Sequence, residues 1–182
     1  GTAGALEPQA RASFARRFAA AGRSGLADVV DGPGGDDWSL RPNQLLAVSL
    51  PHAPLRGADA TAAGVVAACA PLVTSLGLRS LSPDAPGFRP THRGGPAERD
   101  AAYHQGTVWP WLIGPYTEAV IRTGGSIDGT LDGLEAHLLD WGLGSVSETA
   151  DGQAPHDATG CPFQAWSVAE LIRVRALLAA SG

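Results

Sequence analysis

The chain has 182 residues, enough for one domain with a real core, and its 44% apolar and 17% charged content is globular and low in charge. A net charge of −5 argues against a nucleic-acid partner. No apolar run approaches the roughly 18–20 residues of a membrane span, and no basic-then-apolar leader opens the chain.

Two cysteines, Cys69 and Cys161, read as buried thiols, which fits a reducing cytoplasm. Methionine is absent, so the chain reads as processed or excised from something longer.

In chain order the pattern predicts six helices and no convincing alternating strand. The first spans about Pro8 to Ala21, opened by a proline and ended by Gly22, with Phe14 and Phe18 one turn apart. The second spans about Pro42 to Leu50 and stops at Pro51. The third starts at Asp59, a fitting N-cap, and Pro71 should kink or shorten it. The fourth spans about Thr107 to Arg122. The fifth starts near Asp128 and aligns Leu131, Leu134, Leu138 and Trp141 on one stripe. The sixth spans Pro162 to about Ala180. Long loops rich in Gly, Pro and Asp at 22–40, 77–102 and 142–161 precede the second, fourth and sixth helices.

Those three helix starts each carry a glutamine: Gln44 in RPNQ, Gln105 in YHQ and Gln164 in CPFQ. The spacing of about sixty residues is one helical hairpin plus its loop. It suggests an array of hairpins whose inner helix starts meet at one end. Chance placement of three glutamines is the alternative.

The segment Tyr103 to Trp111, YHQGTVWPW, concentrates a phenol, an imidazole, an amide and two indoles at one helix start. A sugar, with an apolar ring face and a rim of hydroxyls, needs such a mix. Trp109 and Trp111 would lie about 200° apart on a helix and could not share a face. One indole is therefore expected in the core and the other at the site, with Trp109 the candidate; core packing of both is the alternative. Glu148 lies in the loop GSVSETADG, near Gln164 and Trp166. A solvated surface carboxylate is the default for such a position, and a catalytic one the sharper reading. Glycoside hydrolysis needs two carboxyl groups. Asp100, the nearest alternative, reads as part of a solvated charge cluster with Glu98 and Arg99. His52, His92 and His156 lack zinc-ligand spacing, and no phosphate-cradling glycine motif or nucleophile elbow occurs, so no metal or cofactor is expected.

The segments RPNQLLAVSLP, GLRSLSPDAPGF, AAYHQGTVWPWLIGPY, GSVSETADG and CPFQAWSVAELIR, in order and in register, resemble the C-terminal amylo-α-1,6-glucosidase domain of glycogen debranching enzymes. The resemblance runs from about Asp37 to Arg175, and residues 1–36 add little. It implies an all-α (α/α)6 toroid, of which 1–182 would supply the latter half as three hairpins. It implies hydrolysis, with inversion, of the α-1,6-linked glucose at branch points of glycogen or another branched α-glucan, in the cytoplasm. Glu148 matches the position of the general base. Tyr103, His104, Gln105, Gln164 and Trp166 match positions around the glucose pocket, with Asn43 and Gln44 as further candidates. The family's general acid is an aspartate in a Trp-Met-Asp motif that this chain lacks, so the isolated chain is expected to be inactive. Half a toroid should also expose apolar flanks and associate. Two other readings are another (α/α)6 α-glucosidase, trehalase- or glucoamylase-like, and a carbohydrate-binding helical module without catalysis.

Overall fold

The computed structural model describes residues 3–56 and 59–181. In chain order, helix α1 (Ala3–Phe18) leads to the hairpin β1 (Val29–Gly32) and β2 (Gly35–Asp37). A 3-10 turn (Pro42–Leu45) runs into α2 (Leu46–Ser49), followed by α3 (Ala60–Cys69), another 3-10 turn (Ala70–Leu72), β3 (Val73–Thr74) and β4 (Gly77–Arg79). Then come α4 (Pro96–Ala102), β5 (Val108–Trp109), a third 3-10 turn (Pro110–Leu112), α5 (Ile113–Arg122) and α6 (Asp132–His137). The chain closes with β6 (Thr149–Ala150), β7 (Ala158–Thr159) and α7 (Ala165–Ser181).

This corrects the all-α expectation. The fold is mixed α/β, with seven α-helices and two antiparallel sheets among the described residues, rather than half of an all-helical (α/α)6 toroid. The larger sheet orders its strands β3-β4-β5-β6-β7. Its registers pair Val73 with Leu78, Leu78 with Trp109, Val108 with Ala150 and Thr149 with Thr159. Strands of two or three residues are too short for alternation to show in sequence, and partners from distant loops create them. The three loops read as irregular therefore hold the β1–β2 hairpin, β4, α4, β6 and β7.

Most helices sit where the pattern placed them, with shifted ends. Asp59 caps α3, accepting from the Thr61 N–H at 2.8 Å. Pro71 ends that helix in a 3-10 turn. The Phe14 and Phe18 rings stack at 4.7 Å. The fourth predicted helix begins later, because Val108–Trp109 joins the sheet and only Ile113–Arg122 is α-helical.

The core gathers Leu45, Val48, Val65, Cys69, Leu78, Ile113, Leu134, Leu171 and Val174, all buried. α5 is central, packed against α2, α3 and α7. An ion cluster ties α5 to α7: Arg173 reaches Glu118 at 2.6 Å and Glu170 at 2.9 Å. Cys69 is buried, which pushes its thiol up to about 12. Cys161, expected to be buried too, is exposed. No helix among the described residues is long and apolar enough to cross a membrane.

Candidate active site

Glu148 stands immediately before β6, and its backbone N–H donates to the Cys161 carbonyl at 2.8 Å. Both carboxylate oxygens are held. The Cys161 N–H donates to Oε2 at 3.0 Å, and the Tyr103 hydroxyl donates to Oε1 in a very short hydrogen bond. Burial, that bond and the Glu148 charge together push the Tyr103 phenol up to about 12, so it stays a donor across the neutral range.

Tyr103 caps the end of α4 and opens an aromatic cluster. Its ring stacks on His92 at 5.2 Å and meets Trp109 edge-on at 4.7 Å. His104 lies flat against Trp109 at 5.4 Å, with 2° between the planes. Trp166, in the first turn of α7 and 48% exposed, meets Trp109 at 5.9 Å and Trp111 at 5.6 Å. A pocket of about 170 Å³ opens here, lined from all three glutamine-bearing segments by Asn43, His104, Trp109, Trp111 and Trp166 among others.

Trp109 and Trp111 thus both border the pocket, although a helix would have separated them. Trp109 ends β5 and Trp111 lies in the following 3-10 turn, so helical geometry does not govern the pair. Trp109 is 5% exposed, and its indole N–H donates to the Tyr103 carbonyl at 3.0 Å.

The glutamines differ in their surroundings. The Gln44 amide accepts from the Leu26 N–H at 2.9 Å and donates to the Arg41 carbonyl at 3.0 Å. Gln105 Oε1 accepts from the Arg41 guanidinium at 3.0 Å. Gln164 is half-buried, with its backbone N–H on the Val146 carbonyl at 2.9 Å. Asn43 donates to Asp28 at 3.0 Å.

Sequence reasoning missed the groups that brace this cluster. Arg41, the first letter of RPNQ, donates to the carbonyls of Ser80 at 3.1 Å and His104 at 2.6 Å. It thereby ties the RPNQ segment to YHQG; a cation beside a glutamine-bearing helix start was the available signal. Asp151, 4% exposed, accepts from the His92 N–H and from Arg93, each at 2.8 Å. The His92 ring, whose pKa burial lowers against the pull of Glu148, has Nδ1 3.2 Å from Thr159 Oγ1. These contacts fasten the β6–β7 ribbon, and with it Glu148, to the loop before α4. Among the described residues no group of three His, Cys, Asp or Glu is placed to hold a metal ion.

Taken together, the arrangement offers a carboxylate held at both oxygens next to a cluster of aromatic rings that lines a pocket. No curated protein sequence matches the chain. The family model described as amylo-alpha-1,6-glucosidase matches residues 4–173, so it covers the N-terminal segment as well as the motifs around Glu148. The chain belongs to the amylo-alpha-1,6-glucosidase family, whose function is glycogen debranching or a related glucosidase reaction.

Proposed function

We propose that Glu148 is the general base of an inverting glycosidase site that hydrolyses α-1,6-linked glucose at glucan branch points. The observation that carries this reading is the held carboxylate, gripped by the Tyr103 hydroxyl and the Cys161 N–H beside an aromatic pocket. A carboxylate that takes a proton from water must keep a fixed aim, and two hydrogen bonds on different oxygens stop its rotation.

The glucose ring presents its apolar face to Trp109 and Trp166, and His104, Gln105, Gln164 and Asn43 meet its hydroxyls. Gln44, with its amide engaged by backbone, supports the pocket wall from behind. Inversion requires an acid on the opposite side of the bond, roughly 6.5–9.5 Å from the base, with a water between. No Trp-Met-Asp motif occurs in the sequence, and Asp151 is engaged by Arg93 and His92. By the family's pattern the general acid is a carboxyl outside residues 1–182, and in this reading the chain carries the base side of the site.

Glu148→Gln in a protein that includes the acid side tests the assignment. The expected result is a fall in kcat of roughly 10²–10⁴-fold on a branched glucan, with glucan binding kept. Full activity in that variant removes Glu148 from its role. Hydrolysis of branched glucan by residues 1–182 alone removes the claim that the acid lies elsewhere.

A further inference from the structure

A second cavity is larger than the aromatic pocket. A groove of about 810 Å³ lies between α6, the β3–β4 turn and β7. That volume falls in the range of roughly 300–1,000 Å³ that holds sizeable ligands, whereas the 170 Å³ pocket suits a single ring.

The groove carries one indole, that of Trp141, which is 37% exposed and makes no ring contact or side-chain hydrogen bond among the described residues. Around it stand polar groups with unused capacity. Among the described residues, the exposed Ser75 hydroxyl has no hydrogen-bond partner, and the largely exposed Asp140 pairs with His137 alone, at 4.0 Å. Asp157 uses one oxygen on Arg93 and leaves the other open. His156 spends Nδ1 on the Asp151 carbonyl at 3.0 Å and leaves Nε2 open. A bare indole among open hydroxyl, carboxylate and imidazole groups matches a ligand with apolar ring faces and hydroxyl edges.

The groove also reaches the proposed base. Gly160 lines it, and a Cβ on Gly160 would stand 2.6 Å from Glu148 Oε2. Its φ of +72° favours glycine as well. Glu148 thus stands behind Gly160 on the groove side, and its partner Tyr103 packs on Trp109, which lines the aromatic pocket.

We propose that this groove is a docking site for a linear α-1,4-linked glucan chain, with Trp141 as its stacking platform. The proposal rests on the reading of Glu148 as the base of a glucan-cleaving site. The main chain of the branched substrate lies in the groove while its branch glucose enters the aromatic pocket.

The experiment is a titration of the protein with maltoheptaose, followed by the indole N–H resonances and by calorimetry. The Trp141 signal, identified by its loss in Trp141→Phe, is expected to shift in the unsubstituted protein. Trp141→Ala should weaken maltoheptaose binding by roughly tenfold and leave the melting temperature unchanged. Absence of maltoheptaose binding, or binding that leaves the Trp141 signal in place, overturns the groove. If Trp141 responds but Glu148→Gln keeps full hydrolytic activity in a protein that includes the acid side, the groove stands and the assignment of the base falls.

Discussion

The Tyr103 hydroxyl donates to Glu148 Oε1 and so joins the end of α4 to the start of β6 across 45 positions of sequence. A hydrogen bond to a charged group is worth about 1.5–3 kcal/mol. If the bond aims Glu148 in the transition state, Tyr103→Phe lowers kcat roughly 10–100-fold with little change in KM. Steady-state kinetics of the catalytically complete protein on a branched glucan decide this. An unchanged kcat means the bond is structural only.

The same bond leaves a mark at high pH. The chain has two tyrosines, and both phenols are raised: Tyr103 to about 12, and Tyr116 by burial first and the nearby Cys69 second. A phenol raised on folding stabilises the fold fully below its ordinary value of about 10, and that contribution fades as pH climbs through about 12. In a Tyr116→Phe background, phenolate absorbance should stay absent near pH 10 and appear towards 12. Adding Glu148→Gln removes the carboxylate charge and should bring the midpoint down. An ordinary midpoint in the folded protein would contradict the contact.

Asp151 is the buried anchor of the β6–β7 ribbon. Asp151→Ala strips the His92 N–H of its acceptor inside the protein and leaves Arg93 with Asp157 as its remaining carboxylate partner. The buried donor left unpaired costs about 1–3 kcal/mol, whereas the partly exposed Arg93 adds less. Urea unfolding should register a lower midpoint with an unchanged slope. If Glu148 is the base, glucan turnover by the catalytically complete protein should fall too, because Glu148 stands immediately before β6. A midpoint equal to that of the unsubstituted protein refutes the anchor.

Gly106, the last letter of YHQG, has a φ of +129°. A Cβ there would lie 2.6 Å from both the Arg89 carbonyl oxygen and the Phe88 ring. Gly106→Ala therefore meets backbone strain and a collision at once, and should destabilise by about 2 kcal/mol or more. Thermal unfolding checks this, with Gly34→Ala as control, since nothing lies near a Cβ at Gly34. Equal losses in the two variants would discount the close approach.

Much of the site was legible because its residues cluster in sequence. Asp59 as a cap and Pro71 as a stop were readable, since capping and chain termination depend on neighbouring residues alone. The meeting of three helix starts was readable from the spacing of Gln44, Gln105 and Gln164. The structure brings those segments to one pocket, but through Asn43, His104, Trp109, Trp111 and Trp166; the three glutamines are not among its lining residues. Helix α4 was lost inside a loop because a seven-residue helix of charged and small residues has almost no apolar period.

The sequence by itself determined where the candidate residues cluster, because the ring-rich segment, the Glu148 loop and QAWS are contiguous words. Tertiary structure alone decided the sheet, the pairing of Tyr103 with Glu148, and the bracing by Arg41, His92, Arg93 and Asp151. The physical reason is range. Capping and helical periodicity act over a few residues, whereas a two-residue strand or a bond across 45 positions exists only after the chain has closed its loops. Trp109 shows the difference most directly. Read locally, it is a helical residue opposed to Trp111; paired with Leu78, it is the end of a strand, and both indoles reach Trp166.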